Sequence, residues 1–407
     1  MLPLRHKYRP WTLVFAGIAI TGCTNLDPWH QNTRTPPSPS SAFVSPPVSV
    51  SELEQPQAAR TNQTPLPLAE CIRLALERNP ATRSSWAAAR SAAASVGQAR
   101  SVYLPSATVS SEGKRGDPVE LDNATDIGAQ NTFDASFGVS YLLFDPGRSG
   151  RLSETEAQLR SLNFRHNTTL QDVALAVEEA YYGFLAAQAL RDLARETVKQ
   201  QEQHTALAEG RYKAGTVQKS DVLKAVTEKA NAELAAVRGE SAVRIGKGRL
   251  ANAIGLRVTD SFDVAPVSDP QYRETMSGLA ALLAEASTNR PELQTALAEI
   301  DARRAQIETV RAQDWPIVSV TGEYGWKDRD FVPDRDEWTA GIAVSLPLFT
   351  GFERTYSEMR AKADMEKAKA EGEMLLRNIE LEVCTAYSQL IEARQAIVAT
   401  QNLVADA

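Results

Sequence analysis

The residue types that usually carry chemistry are scattered along this chain. Glu178, Glu179 and Asp192 offer paired carboxylates, but acid–base work needs an acid and a base converging on one substrate. All three fall within one long helical stretch, with no converging base or metal ligand, and read as solvated charges. His166 and His204 are isolated on polar helix positions. Gly246-Lys-Gly248 lacks the spacing of a phosphate loop and sits in a helical context. Glu112, Asp117, Glu120, Asp122 and Asp126 form an acidic segment between two strands. It reads as an exposed loop without the ligand spacing of a calcium site. Cys23, Cys71 and Cys384 are too far apart for a zinc knuckle and too few for a disulfide framework. The residues therefore predict no catalytic centre, no metal and no cofactor. With 44 Lys+Arg against 51 Asp+Glu and a net charge of −7, the chain also predicts no nucleic-acid surface, which is normally basic.

The elements that must position anything functional begin after an address. Residues 1–22 read as a secretory signal: Arg5, His6, Lys7 and Arg9 precede an apolar run from Trp11 to Ile20. That run is about 15 Å long as a helix, half of a ~30 Å hydrocarbon core, so it is no membrane span. Ile20-Thr21-Gly22-Cys23 resembles the lipobox of bacterial lipoproteins. The resemblance implies cleavage before Cys23, lipid attachment there and, with Thr24 next, sorting to the outer membrane. Residues 23–67 then read as a lipidated cysteine and a Pro-rich tether without chemistry of its own.

The body is written twice. Pro80 and Pro291 each follow an amphipathic helix and lie 211 residues apart, as do Pro105 and Pro316. Leu143-Phe144-Asp145-Pro146-Gly147 recurs as Leu348-Phe349-Thr350-Gly351, and Ala180-Tyr181 as Ala386-Tyr387. The first repeat takes 68–265 and the second 278–407. Between landmarks the period changes to two. Phe133, Ala135, Phe137, Val139, Tyr141 and Leu143 alternate with polar or small residues, as do Trp338, Ala340, Ile342, Val344, Leu346 and Leu348. Weaker or shorter alternation follows Pro105 and Pro316. Strands are predicted over about 105–114, 133–144, 316–326 and 338–348. Ten residues is the length of a transmembrane β-strand, and 12 of the 27 aromatic residues fall within 101–144 and 315–352, many near strand ends. A half-covered sheet in a soluble domain would alternate in the same way. Four strands cannot close a barrel, so a membrane reading demands an oligomer.

Proline is absent from Gly147 to Ala265 and again from Leu348 to Ala407. Apolar positions at Val173, Val177, Ala180, Phe184, Ala187 and Leu190 keep heptad-like spacing. A helix from about Ser149 to Ala208 would run ~90 Å, too long for a globular core, which leaves a coiled coil or a helical barrel. The run Arg211-Tyr-Lys-Ala-Gly-Thr-Val-Gln-Lys-Ser-Asp221 then reads as a helix reversal. Gly215 supplies a positive φ. Ser220 or Asp221 serves the amides of the returning helix, and Arg211 complements the outgoing helix end.

With these parts in hand, the sequence from 68 to 407 resembles the TolC-like outer-membrane factor family. That resemblance implies an α+β fold: two repeats of long coiled-coil helices plus paired antiparallel strands. A homotrimer would form a twelve-stranded transmembrane β-barrel in outer-membrane lipid, continued by a periplasmic α-helical barrel. It implies a passive exit duct for efflux or type I secretion, working with a periplasmic adaptor protein and an inner-membrane RND or ABC pump. The tip at 211–221 would carry the adaptor contacts Arg211, Gly215, Thr216, Val217 and Asp221. A periplasmic adaptor, also a helical-hairpin lipoprotein, is the alternative, as is an envelope hydrolase. The adaptor would lack two separated strand pairs in a long repeat, and the hydrolase would need a nucleophile–base pair. The tip lies 30 residues after Tyr181, so its second copy is expected near 417, past Ala407. The reading accordingly expects a truncated second repeat without the residues that close the family's aperture.

Overall fold

A computed structural model describes residues 38–41, 65–116, 129–258, 260, 262–266, 278–329, 331 and 335–406. The secretory segment, Cys23, and Asp117, Glu120, Asp122 and Asp126 lie outside the described residues.

Two repeats of the same element order follow. The first comprises α1 (Leu68–Arg78), α2 (Pro80–Ser101), β1 (Ser106–Gly116), β2 (Gln130–Phe144), α3 (Gly147–Lys213) and α4 (Lys219–Ile254). The second comprises α5 (Leu279–Asn289), α6 (Pro291–Arg311), β3 (Ile317–Asp328), β4 (Asp336–Ser345) and α7 (Glu353–Asp406). Proline sets the break between the first two helices of each repeat. Asn79 and Arg290 are extended, at ψ 129 and 120, because a following proline disfavours the helical region. Pro80 and Pro291 then open the next helix, where a missing N–H costs nothing.

The strands form one antiparallel sheet in the order β1-β2-β3-β4. The helices pack as α2 on α3, α3 on α6 and α6 on α7. Helix order thus repeats strand order: the helical layer continues the sheet rather than covering it. Every residue of β1 and β4 is exposed, so the half-covered sheet of a soluble domain is excluded for these strands among the described residues.

The 67 residues of α3 give a rod of ~100 Å. Its sheet-proximal half packs on α2 and α6, its distal half on α4. Where α1, α3 and α4 meet, Cys71, Leu74, Val177, Tyr181, Phe184, Leu250 and Ile254 form the main buried cluster. The Tyr181 hydroxyl donates to the Ala265 carbonyl at 2.7 Å, so this ring satisfies its polar end inside the core. Burial, assisted by the Glu70 charge, pushes the Cys71 thiol up to about 11, and the residue acts as a small core hydrophobe. Elsewhere the helices approach through alanine and glycine. Gly246 of α4 lies against Phe184, where a Cβ would stand 3.4 Å from its Cα. Gly150 of α3 is tighter still: a Cβ there would meet Thr309 Oγ1 and the Thr309 amide nitrogen of α6 at 2.8 Å or less.

Several expectations need correction. The long helix is α3, Gly147–Lys213, longer at both ends than Ser149–Ala208. Leu190 is 64% exposed, so the buried stripe runs through Val173, Val177, Tyr181 and Phe184 instead. The strand expected to reach 348 stops at Ser345, ahead of Pro347, which has no N–H for a ladder. Glu112 is not in a loop; it is paired with Asp134 within the β1–β2 ladder. His166 is fully buried rather than on a polar face. The tether is not featureless either, since 38–41 form a turn packed at His166.

The Gly150 crossing gives a direct test. Gly150→Ala should lower stability by about 1–3 kcal/mol, because the obstructing Thr309 amide is main chain and cannot rotate away. Thermal unfolding of the purified protein measures it, with Gly97→Ala, where a Cβ meets nothing within 4 Å, as control.

Candidate functional site

The registers sort the sheet into two faces. Val109 pairs with Phe137, Phe137 with Tyr324, and Tyr324 with Trp338, so one row of large apolar residues crosses all four strands. Tyr141, Val320 and Ile342 continue that face. It is open: Val109 is 83% exposed and Trp338 and Ile342 are each 72% exposed. An apolar face this wide is unstable in water and marks contact with lipid or another protein.

The opposite face is polar. Ser110, Ser136, Gly325 and Glu337 form one row across it, and Thr108, Gly138, Glu323 and Thr339 the next. Serine hydroxyls bridge the β1–β2 strands, Ser106 to Ser140 at 2.7 Å and Ser110 to Ser136 at 2.8 Å. Glu112, Asp134 and Lys327 share a third row, and Lys114 pairs with Glu112 at 2.7 Å. Apolar on one side and charged on the other is the arrangement of a strand between hydrocarbon and water.

Where strands become helices, the chain is fastened by side chains the sequence reading passed over. Asp145 accepts from the Gly147 amide at 2.8 Å and pairs with Arg151. Arg148 donates to the Leu142 carbonyl at 3.0 Å and lies over the Tyr103 ring. Its counterpart one repeat later, Arg354, pairs with Asp314 at 2.7 Å and donates to the Leu348 carbonyl at 3.5 Å. The internal repeat carried that signal, since both arginines follow the Leu-Phe landmark at nearly the same distance. The β4–α7 turn is strained: Gly351 and Phe352 both have positive φ, at 63° and 66°. That is costly for a bulky residue such as phenylalanine.

At the other end of α3 the helix reverses. The Thr216 amide donates to the Arg211 carbonyl at 3.0 Å and the Gly215 amide to the Tyr212 carbonyl at 2.9 Å, with Gly215 at φ +72°. This pair of bonds is a Schellman stop, which requires the left-handed residue that glycine supplies. The Thr216 hydroxyl adds a second bond to the Arg211 carbonyl at 2.9 Å. On the returning side Asp221 accepts from the Gln218 amide at 3.2 Å, and Gln218, not Ser220, is the residue preceding the helix. Arg211, Gly215, Thr216 and Asp221 are all exposed and Val217 half-buried, so the structure brings the five into one small surface. A Cβ at Gly215 would meet nothing within 4 Å.

The remaining candidates stay apart. Glu179 is exposed, Glu178 half-buried and His204 exposed, while Asp192 accepts from Arg191 at 2.8 Å. Among the described residues no three His, Cys, Asp or Glu side chains are grouped to hold a metal ion. No described helix is long and apolar enough to cross a membrane.

Known proteins share this architecture. The family model for outer membrane efflux proteins matches residues 71–256 and 282–407. The protein CyaE of Bordetella pertussis is 30% identical over 334 residues, covering 81% of this chain and 70% of CyaE. The toluene efflux pump outer membrane protein TtgC of Pseudomonas putida is 25% identical over 306 residues, covering 73% of this chain and 61% of TtgC. The chain thus spans less than two thirds of TtgC's length. Among solved structures, the Campylobacter jejuni CmeC outer membrane channel superposes with a TM-score of 0.69 at 16% identity, covering 82% of this chain and 76% of that one. The repeat, the two-faced sheet and the long reversing helix all fall inside the matched segments, and the chain belongs to the outer membrane efflux protein family.

Proposed function

We propose that the protein is the outer-membrane exit duct of a tripartite export machine. The observation that carries this is the wall itself: a four-stranded sheet with lipid-suited and water-suited faces, running at one end into a helix of 67 residues. Three copies would close twelve strands into a barrel and continue it as a helical tunnel. Both edges of the wall, β1 with α2 and β4 with α7, are open among the described residues for that purpose. Conduction through the duct is passive, and its energy comes from an inner-membrane pump of the RND or ABC class. Lumen charge sets preference, as in other water-filled pores. A lipid chain on Cys23 adds a second hold on the membrane. Family membership supports the duct over a periplasmic adaptor. The relatives' names connect the family with toluene efflux and with cobalt, zinc and cadmium resistance; the cargo of this chain is open to either efflux or type I secretion.

The tip at Arg211, Gly215, Thr216, Val217 and Asp221 is the proposed adaptor contact. Its main chain is already satisfied internally, so a partner meets a preformed surface.

Three outcomes test the proposal. Detergent-purified protein in a planar bilayer should give discrete conductance steps, with trimeric mass recorded alongside; silence from a stable trimer overturns the duct. Gly215→Arg should abolish export in cells while the trimer still assembles, whereas Gly215→Ala, which bears only the φ strain of roughly 1–2 kcal/mol, should retain most export. An unaltered rate in Gly215→Arg removes the docking assignment. Combined Glu323→Gln and Glu337→Gln should move the reversal potential in a salt gradient toward zero, as cation preference from the polar face is lost.

A further inference from the structure

His166 lies on neither the sheet nor the tip, yet it is a fully buried polar side chain. Burying an imidazole is costly unless both ring nitrogens are bonded, and both are. Nδ1 lies 2.8 Å from the Ser85 hydroxyl of α2, and Nε2 lies 2.8 Å from the main-chain carbonyl of Ser41. A carbonyl only accepts, so Nε2 carries the hydrogen. Burial holds the ring pKa below its ordinary value, the bond to Ser41 partly opposing that shift. The Ser85 hydroxyl at Nδ1 also donates to the Thr82 carbonyl at 3.0 Å, which ties the ring through it to the main chain of α2.

The group that His166 grips is shaped for it. Ser38, Pro39, Ser40 and Ser41 close a tight turn. The Ser41 amide donates to the Ser38 carbonyl at 3.2 Å, the Ser41 hydroxyl to the same carbonyl at 2.9 Å, and the Ser38 amide to the Ser41 hydroxyl at 2.9 Å. With these groups turned inward, the Ser41 carbonyl is left to face the helices. A second fastening lies further along: Leu66 exchanges main-chain bonds with Asp263 and Ala265 at 2.9 and 3.0 Å, beside Tyr181. His166 and Tyr181 are ~22 Å apart along α3.

We propose that the α2–α3 surface at His166 is a docking site for this chain's own N-terminal segment, with the Ser41 carbonyl as the recognised group, and that it pins the tether to the tunnel wall. The geometry accommodates an anchor upstream. His166 lies ~29 Å along α3 from its start at the sheet, and the stretch from Cys23 to Ser38 reaches at most ~50 Å when fully extended. Docking stands without lipidation; its role in setting the depth of the wall beneath the membrane rests on the lipid anchor proposed above.

Hydrogen exchange of the full-length protein in detergent, read by mass spectrometry, tests the docking. In the unsubstituted chain, peptides covering 38–41 should exchange slowly. His166→Ala should speed them at least tenfold, and His166→Gln, which keeps an N–H donor, should restore much of the protection. Unchanged exchange of 38–41 in His166→Ala overturns the proposal. If that variant also loosens α2 and α3, a second variant decides the matter: Ser38, Pro39, Ser40 and Ser41 all changed to glycine, which leaves the helices intact. Carbethoxylation by diethyl pyrocarbonate should then rise at least fivefold at His166 relative to the exposed His204; unchanged reactivity overturns the docking. Incorporation of labelled palmitate is recorded in parallel, and its absence would remove the anchor without touching the dock.

Discussion

The two free edges of the sheet, on β1 and β4, constrain everything else in this molecule. Each presents a row of main-chain N–H and C=O groups without ladder partners among the described residues. In water such an edge is merely a hazard for aggregation. In hydrocarbon every unpaired group costs several kcal/mol, so an open sheet cannot stand there. The apolar row Val109, Phe137, Tyr324 and Trp338 makes hydrocarbon the natural surrounding of one face. Closure by further copies reconciles the two demands. The helices carry the same constraint downward, because α2 and α7 stand at the corresponding edges of the helical layer.

A wall one element thick also explains the poverty of the core. Apart from the cluster around Tyr181, the helices bury mostly alanine: Ala89, Ala92, Ala157, Ala298, Ala302 and Ala305. Small side chains let helices run close together and keep the layer thin, and Gly150 and Gly246 tighten it further. The polar surfaces on both sides of such a wall belong to solvent, which is why acidic and basic residues are dispersed instead of gathered. Glu178, Glu179 and Asp192 are spread along a rod, and dispersed charge suits conduction as it would not suit catalysis.

Much of this was legible in the residues because each strand faces two different media, which imposes a strict period of two on Phe133 to Leu143 and on Trp338 to Val344. The Pro80 and Pro291 breaks were legible for a local reason, the restriction that proline places on the residue before it. The reversal at Gly215 and the part of Asp221 at the start of the returning helix were legible as well, although the residue preceding that helix is Gln218, two positions before Ser220. What could not be read was long-range. Leu190 keeps heptad spacing yet is exposed, since only tertiary packing decides where the covering helix lies. Pairing of Glu112 with Asp134 depends on strand length, and a Pro-Ser-rich stretch gives no sign that one of its carbonyls meets a histidine 125 residues away.

The tip and the sheet end solve opposite problems with the same means. At the sheet end, Asp145, Arg148 and Arg354 bind carbonyls and amides where a strand turns into a helix, and the strained pair Gly351–Phe352 shows how sharply the chain must turn there. At the tip, the Schellman bonds and the Asp221 contact satisfy the main chain without help from any neighbour. A surface that needs no partner to hold its shape loses little conformational freedom when one arrives, so more of the contact energy is retained as affinity. The long helices thus separate two rigid ends, one fitted to lipid and one exposed to the periplasm, and leave the wall between them to do no more than enclose water.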